Sequence, residues 1–208
     1  MIPGSANPLL LASAAGAPAG YQIERSLRFN SADSAYLSRT PAVTGNRKTW
    51  TWAGWVKRSA LGAINTLFFA GTSSTNLDLI RFDASDRLEI RWFYGGVTAN
   101  IITTPVYRDP SAWMHVVVSV DTTQATASNR IKVYINGSQV TTLTTATYPT
   151  QNTDSLTNAT NAHNIGRDGG NVNFYLNGYL AEIHFIDGQA LDPSSFGEFD
   201  TNGVWQPI

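Results

Sequence analysis

The 208-residue chain has no cysteine, which removes disulfides, thiol nucleophiles and cysteine-bearing zinc sites together. It is also short of charge: Asp, Glu, Lys and Arg make up 14% of the residues, against about 25% in an ordinary soluble domain. The formal net charge is −1, so no field of one sign is available to draw in nucleic acid or an anionic membrane surface. No apolar run approaches the ~18 residues of a membrane-spanning helix. The three histidines, His115, His163 and His184, are scattered without ligand spacing and form no transition-metal signature.

Ser, Thr and Asn fill the space left by charge, together occupying 56 of the 208 positions. Hydrophobic residues at 42%, with 11% aromatic, supply enough material for a core and exclude wholesale disorder. The length suits one large β domain or one and a half average domains.

Residues 1–20 carry no charge and no periodic apolar face, so they do not fold by themselves. Leu9-Leu10-Leu11 followed by Ala12-Ser13-Ala14 has the outline of a signal peptide. No Lys or Arg precedes Arg25, however, and Pro3 and Pro8 interrupt the run, so export through this segment is not expected. The expected division is an extended arm over residues 1–24 and a folded domain over residues 25–208. Ile2, Pro3, Leu9, Leu10 and Leu11 are the arm's expected partner-binding residues.

Beyond the arm the sequence reads as strand after strand. In Arg87–Phe93, Leu88, Ile90 and Trp92 alternate with Glu89 and Arg91; in Arg130–Ile135, Ile131, Val133 and Ile135 alternate with Lys132 and Tyr134. Period-2 patterns of this kind belong to half-buried antiparallel strands. Further strands are expected at 26–29, 35–38, 49–57, 66–70, 77–82, 100–104, 113–121, 139–143, 163–166 and 174–186. Asn136-Gly137 between two such runs predicts a two-residue hairpin turn, and Asp187-Gly188, Asp83–Asp86 and Gly95-Gly96 predict further turns. Only Asp192–Glu198 has a helical start, with Asp192 as N-cap and Pro193 as first residue. Residues 144–162 are polar and Thr/Asn-rich and are expected to form an exposed loop. The predicted fold class is all-β: a two-sheet antiparallel β-sandwich of jelly-roll type with an extended N-terminal arm.

Four blocks carry a family resemblance. They are Ser26-Leu27-Arg28-Phe29 leading to Tyr36-Leu37; Thr49–Lys57 (TWTWAGWVK); Trp113–Asp121 followed by Ile131–Gly137 (IKVYING); and Ile165-Gly166 followed by Gly178–Phe185 (GYLAEIHF), ending in Leu191-Asp192-Pro193. In this order, over about residues 26–199, they resemble the laminin G-like and pentraxin-like branch of the concanavalin A-type jelly-roll superfamily. The wording of the blocks resembles domains of structural proteins of tailed phages. That resemblance implies a virion component built on a sugar-binding type of scaffold, without fixing which component.

Glycosidases on this scaffold need two carboxylates about 5–5.5 Å apart for a retaining mechanism. The chain has four glutamates, Glu24, Glu89, Glu182 and Glu198; Glu89 has no acidic partner two or four residues away, and Glu182 has His184 and no Asp at the same-face position. Hydrolysis is therefore not expected. Glu182 shares a strand face with His184 and is expected to fix a neighbouring segment by hydrogen bonds. Relatives hold calcium at the sandwich rim through Asp, Asn and backbone oxygens; Asp168 and Asn171, in the Gly166–Asn171 turn, are the candidate ligands here. No other cofactor is expected. Trp50, Trp52 and Trp92 read as core. Tyr148, in the Thr/Asn loop, is the aromatic expected to be exposed and the candidate glycan contact.

These expectations converge on a non-enzymatic virion protein: a capsid decoration or cement protein attached through its arm, with the major capsid protein as partner, in a multicopy assembly. A tail or fibre adhesin for host surface polysaccharide is the alternative. Neither nucleic acid nor membrane is an expected partner. With so little charge, docking should rest on backbone pairing and apolar contacts and weaken little as salt rises.

Overall fold

The computed structural model describes residues 21–171 and 173–208. The arm residues Ile2, Pro3, Leu9, Leu10 and Leu11 lie outside them. Among the described residues the strands are β1 (Leu27–Phe29), β2 (Leu37–Arg39), β3 (Thr49–Arg58), β4 (Asn65–Ser73), β5 (Asn76–Phe82), β6 (Arg87–Tyr94), β7 (Val97–Val106) and β8 (Met114–Asp121). They continue with β9 (Ile131–Ile135), β10 (Ser138–Gln139), β11 (Leu143–Thr147), β12 (Ala162–Ile165), β13 (Gly178–Asp187), β14 (Gly197–Phe199) and β15 (Trp205–Pro207). A six-stranded sheet runs β1-β13-β3-β8-β9-β10, a seven-stranded sheet runs β11-β7-β6-β5-β4-β12-β2, and β14-β15 form a small ribbon.

Alternation decides which face of each strand enters the core. On β3, Trp50, Trp52 and Val56 point inward, and they meet Met114, Val116, Val118 and Val120 of β8 in the same buried cluster. The seven-stranded sheet answers with Ile80 and Phe82, Leu88, Ile90 and Trp92, and Ala99 and Ile101. Trp50, Trp52 and Trp92 are all at most 1% exposed. They are core residues, as their spacing predicts, and truncating one such indole costs about 3–5 kcal/mol.

The local chemistry explains the turns. Asn136 and Gly137 both take positive φ, 47° and 77°, which fits the mirror-type turn that a right-twisted hairpin needs. A Cβ on Gly137 would also collide with the ring of Trp205, so the position requires glycine twice over. Asp192 caps a single 3-10 turn, Pro193–Ser195, by accepting from the Ser194 amide at 2.9 Å. The predicted cap is right, and the turn stops after three residues because Gly197 begins β14.

Two expectations are corrected. The run 139–143 is not one strand: Ser138 and Gln139 pair with β9 in one sheet, and Leu143 opens β11 on β7 in the other, so the chain changes sheets between them. The segment 144–162 is not simply an exposed loop. Its start is β11, and Ser155, Thr157 and Asn158 are buried where they roof the end of the sandwich. The hydroxyl of Ser155 accepts from the Trp50 indole at 3.0 Å and donates toward the carbonyls of Arg47 and Thr157. Thr and Asn were placed there by buried hydrogen bonding rather than by solubility.

Candidate functional site

The carboxylates are already engaged. Glu89 stands directly across from Arg81 on β5, outside the core on the seven-stranded sheet, and its Oε2 lies 2.7 Å from Arg81 Nε. Both side chains are nearly buried, at 6% and 11% exposed, and Glu89 belongs to the opposite sheet from Glu182. Glu182 sits at an irregularity in β13, where the register against β3 shifts between Ala181 and His184. Its φ is +47°, a left-handed conformation inside a strand. From there its carboxylate accepts from the Tyr21 hydroxyl at 3.0 Å and lies 3.6 Å from His184 Nε2. The expected pairing with His184 is present, and the segment fixed by Glu182 is the start of the described chain.

Asp168 and Asn171 do come together, but on each other. Asp168 is fully buried; its Oδ1 accepts from the amides of Gly170 and Asn171, and its Oδ2 accepts from Asn171 Nδ2 at 2.9 Å. These bonds close the turn. Among the described residues no group of three or more His, Asp or Glu side chains converges as a metal site. Tyr148 is half-buried, its ring packed against the core beside Leu143 and Val140 and its hydroxyl pushed upward by burial, so it is less exposed than its loop composition implies.

The six-stranded sheet also has its outer face covered, by a segment that alternation does not reveal. Residues 189–207 fold back over it: Thr51 donates to the Gln189 carbonyl, the Leu191 amide donates to Thr51, and Phe196 lies on both His115 and His184. Trp205 stacks on His115. The signal available in sequence was Phe196, Phe199 and Trp205, three aromatics in a stretch too polar to read as strand.

The seven-stranded sheet and the six-stranded sheet do not close on each other at every edge. Along the side bounded by β1 and β13 on one sheet and β2 and β12 on the other, two cavities of ≈ 710 Å³ and ≈ 460 Å³ open, sharing Leu37 and Ile165 in their walls. The lining is apolar and drawn from inward faces: Leu27, Phe29, Leu180 and Ile183 on one side, Leu37, Ile165 and Phe68 on the other, with Phe185 and Val43 toward the far end. Leu27 is 56% exposed, Leu37 48% and Val43 77%. Arg39, His163, Asn158 and Asp187 rim the far end. His163 is held as a neutral ring, with Nε2 accepting from the Asn158 amide at 3.0 Å and Nδ1 facing the Asn161 carbonyl; burial lowers its pKa. Residues 24–26 border the near end. A contiguous apolar opening of this kind has the character of a docking surface.

On the outer face of the seven-stranded sheet, Arg91 lies over the Phe93 ring at 5.0 Å, with Asn100 as its cross-strand neighbour. Arg91 Nε and Asn100 Oδ1 have no hydrogen-bond partner among the described residues.

Comparison with known proteins agrees with this architecture. A family described as the concanavalin A-like lectin/glucanases superfamily, of laminin G type, matches residues 30–195. Among solved structures, domains LG4-5 of the mouse laminin α1 chain superpose with a TM-score of 0.55 at 14% identity, covering 86% of this chain and 46% of that one. The carbohydrate-binding module CBM40 of the Ruminococcus gnavus IT-sialidase, bound to α2,3-sialyllactose, gives 0.54 at 12% identity, covering 78% and 96%. The heptameric SAP-like pentraxin of Limulus polyphemus gives 0.51 at 16%, covering 72% and 68%. At these identities the likeness is one of fold. No curated protein sequence matches the chain.

Proposed function

The chain belongs to the concanavalin A-like lectin/glucanase superfamily, in its laminin G-like branch, and from that premise we propose that it is a non-enzymatic virion structural protein of a tailed phage, a capsid decoration protein attached through residues 1–24. The virion context rests on the resemblance of the sequence blocks to phage structural domains. The attachment reading is carried by one observation, the course of residues 21–26. Tyr21 bonds to Glu182 and residues 24–26 border the apolar opening, so the uncharged segment before them starts beside exposed inward-facing side chains. An apolar extended segment suits attachment by surface burial and strand addition. The non-catalytic reading is supported by Glu89, held by Arg81, and by Glu182, held by Tyr21.

Co-sedimentation with purified phage heads tests the proposal. The full chain pellets with the heads, in quantitative mass spectrometry it is present in hundreds of copies per virion, and its binding changes little between low and high salt. The chain lacking residues 1–20 keeps its far-ultraviolet circular dichroism and stays in the supernatant. Equal binding by both would remove the arm from the attachment role.

A second reading, an adhesin on a tail or fibre, is favoured by the Arg91–Phe93 stack, which offers a cation and a ring on one sheet face. The Ruminococcus module, bound to α2,3-sialyllactose, adds weight to a glycan as the ligand class. A few to tens of copies per virion, with glycan-array binding lost in Arg91→Ala, is the outcome that favours this reading over decoration.

A further inference from the structure

The edge opening is too apolar to stand empty in water, and its neighbouring segment has the matching character. β1 and β2 are the outermost strands of their sheets, each with one side free of a strand partner among the described residues. Between them Leu27, Leu37 and Val43 present large exposed apolar surface. Residues 1–20 lie outside the described residues and carry no charge, and Leu9-Leu10-Leu11 is their densest apolar cluster. The arm segment brings no charge to such a contact, and Glu24, Arg25, Arg39 and Asp187, which border the opening, are exposed and can keep their charges in water.

We infer that Leu9–Leu11 of one copy of the chain seat in this opening on a second copy. The inference rests on the attachment role proposed for residues 1–24 and names what the leucines attach to. Chain length selects a second copy over the same one. The opening begins beside residues 24–26, and Tyr21 is held on Glu182 in its wall, so to fill it from its own chain residues 12–20 would reverse as an irregular loop of about nine residues, longer than most connections. Left extended from Tyr21, the nine residues 12–20 span about 30 Å at ~3.3 Å each, enough to leave the chain's own edge for a neighbouring copy. They reach the next copy without a reversal. The contact is head-to-tail, arm to cleft, so every copy offers one arm and one cleft and the assembly adds copies along a surface.

Two full-length variants separate the halves of the contact. Leu10→Asp spoils the arm and Leu37→Asp spoils the cleft; Leu37 is half exposed, so its replacement leaves the core intact, and Val43→Asp serves as a second cleft variant. In sedimentation velocity at micromolar concentration the unmodified chain forms dimers and larger species, and each variant alone is a monomer with unchanged circular dichroism. Mixing Leu10→Asp with Leu37→Asp restores one intact contact, and a 1:1 pair appears with a dissociation constant at least tenfold tighter than either variant with itself. An unmodified chain that stays monomeric, or a mixture that gives no pair, overturns the inference; the latter with a monomeric full chain is the behaviour of an arm folded onto its own cleft. Head co-sedimentation reads the attachment role separately: a full chain that binds heads but never pairs rejects the second copy and leaves the arm's role standing, whereas a full chain that pairs but does not bind heads rejects the attachment role and leaves the pairing standing.

Discussion

The indole of Trp205 stacks on the imidazole of His115, centroids 6.0 Å apart at 21°, and its Nε1 donates to His115 Nδ1 at 3.2 Å. Trp Nε1–H only donates, so the acceptor Nδ1 is unprotonated and the ring must be neutral. Burial, with His184 as a smaller repulsive contribution, pushes the His115 pKa down to about 4. In the unfolded chain the ring takes up its proton near pH ~6.5. The sign follows: as pH falls, the unfolded state binds the proton first. The contribution of His115 to stability is complete above ~6.5 and is lost progressively toward pH 4, on the order of 3 kcal/mol in all. Denaturant titrations at pH 7 and pH 4.5 should show this loss, and the difference between the unmodified chain and His115→Gln should carry it, because the glutamine has nothing to titrate.

Removing the partner has a distinct signature. Trp205→Ala uncovers His115 and Gly137 and frees the ribbon of β14 and β15 from the six-stranded sheet. The expected cost is about 2–4 kcal/mol, below that of a fully buried tryptophan, because Trp205 is half exposed. The imidazole pKa rises toward its ordinary value, which an NMR titration of His115 reads directly. An unmoved pKa would mean that the C-terminal segment does not shield the ring.

Asp78 gives the opposite dependence. It is fully buried at the end of the sandwich, with Oδ1 accepting from the Tyr94 hydroxyl at 2.6 Å and Oδ2 from the Thr157 amide and hydroxyl at 2.7 and 2.8 Å. Burial wins over these bonds and pushes its pKa up to about 6. A raised carboxyl pKa favours folding below the unfolded value of ~3.9 and loses that advantage as pH rises through about 6. Tyr94→Phe removes the donor and also the acceptor of the Leu156 amide, at about 1–3 kcal/mol. It also moves the fall in stability to higher pH, because one of the bonds opposing burial is gone. Asp78→Asn should abolish the fall between about pH 4 and pH 6 in thermal melts.

How much of this was legible depends on which force set each element. The alternation at Leu88, Ile90 and Trp92 and the turn at Asn136-Gly137 are local, and both stand where sequence puts them. The cap at Asp192 is local too. The burial of Ser155 and Thr157 is not, because it depends on Trp50 and Asp78 from strands far along the chain. The cover over His115 depends on Trp205, 90 residues away. The edge opening is the least legible of all: Leu37 and Ile165 look like any strand residues, and only the way two sheets diverge leaves them open.

Glu89 and Arg81 test whether the buried ion pair between β5 and β6 of the seven-stranded sheet is structural. Glu89→Ala leaves the Arg81 charge buried and unpaired and is expected to cost about 3–5 kcal/mol. Replacing both residues together, Glu89→Leu with Arg81→Met, removes the charges as a pair and is expected to be neutral or stabilising. Glycan binding on the array should be unchanged in the double variant, since neither residue is offered to a ligand; lost binding there would give the pair a recognition role.

Glu182 combines two opposed contributions that two substitutions can separate. Its φ of +47° costs about 1–2 kcal/mol for any residue with a Cβ, while its carboxylate gains the Tyr21 hydroxyl and the neighbourhood of His184. Both contacts are exposed or partly exposed, so solvent screens them and they add little. Glu182→Ala keeps the strain and loses the contacts, so it is destabilised. Glu182→Gly loses the same contacts but relieves the strain, and it should be more stable than the alanine variant by about 1 kcal/mol in denaturant titrations. Both variants release Tyr21, so the start of the described chain should become more susceptible to limited proteolysis in each by the same amount. If the alanine chain proves the more stable of the two, the left-handed conformation at position 182 is not what the β13 irregularity requires.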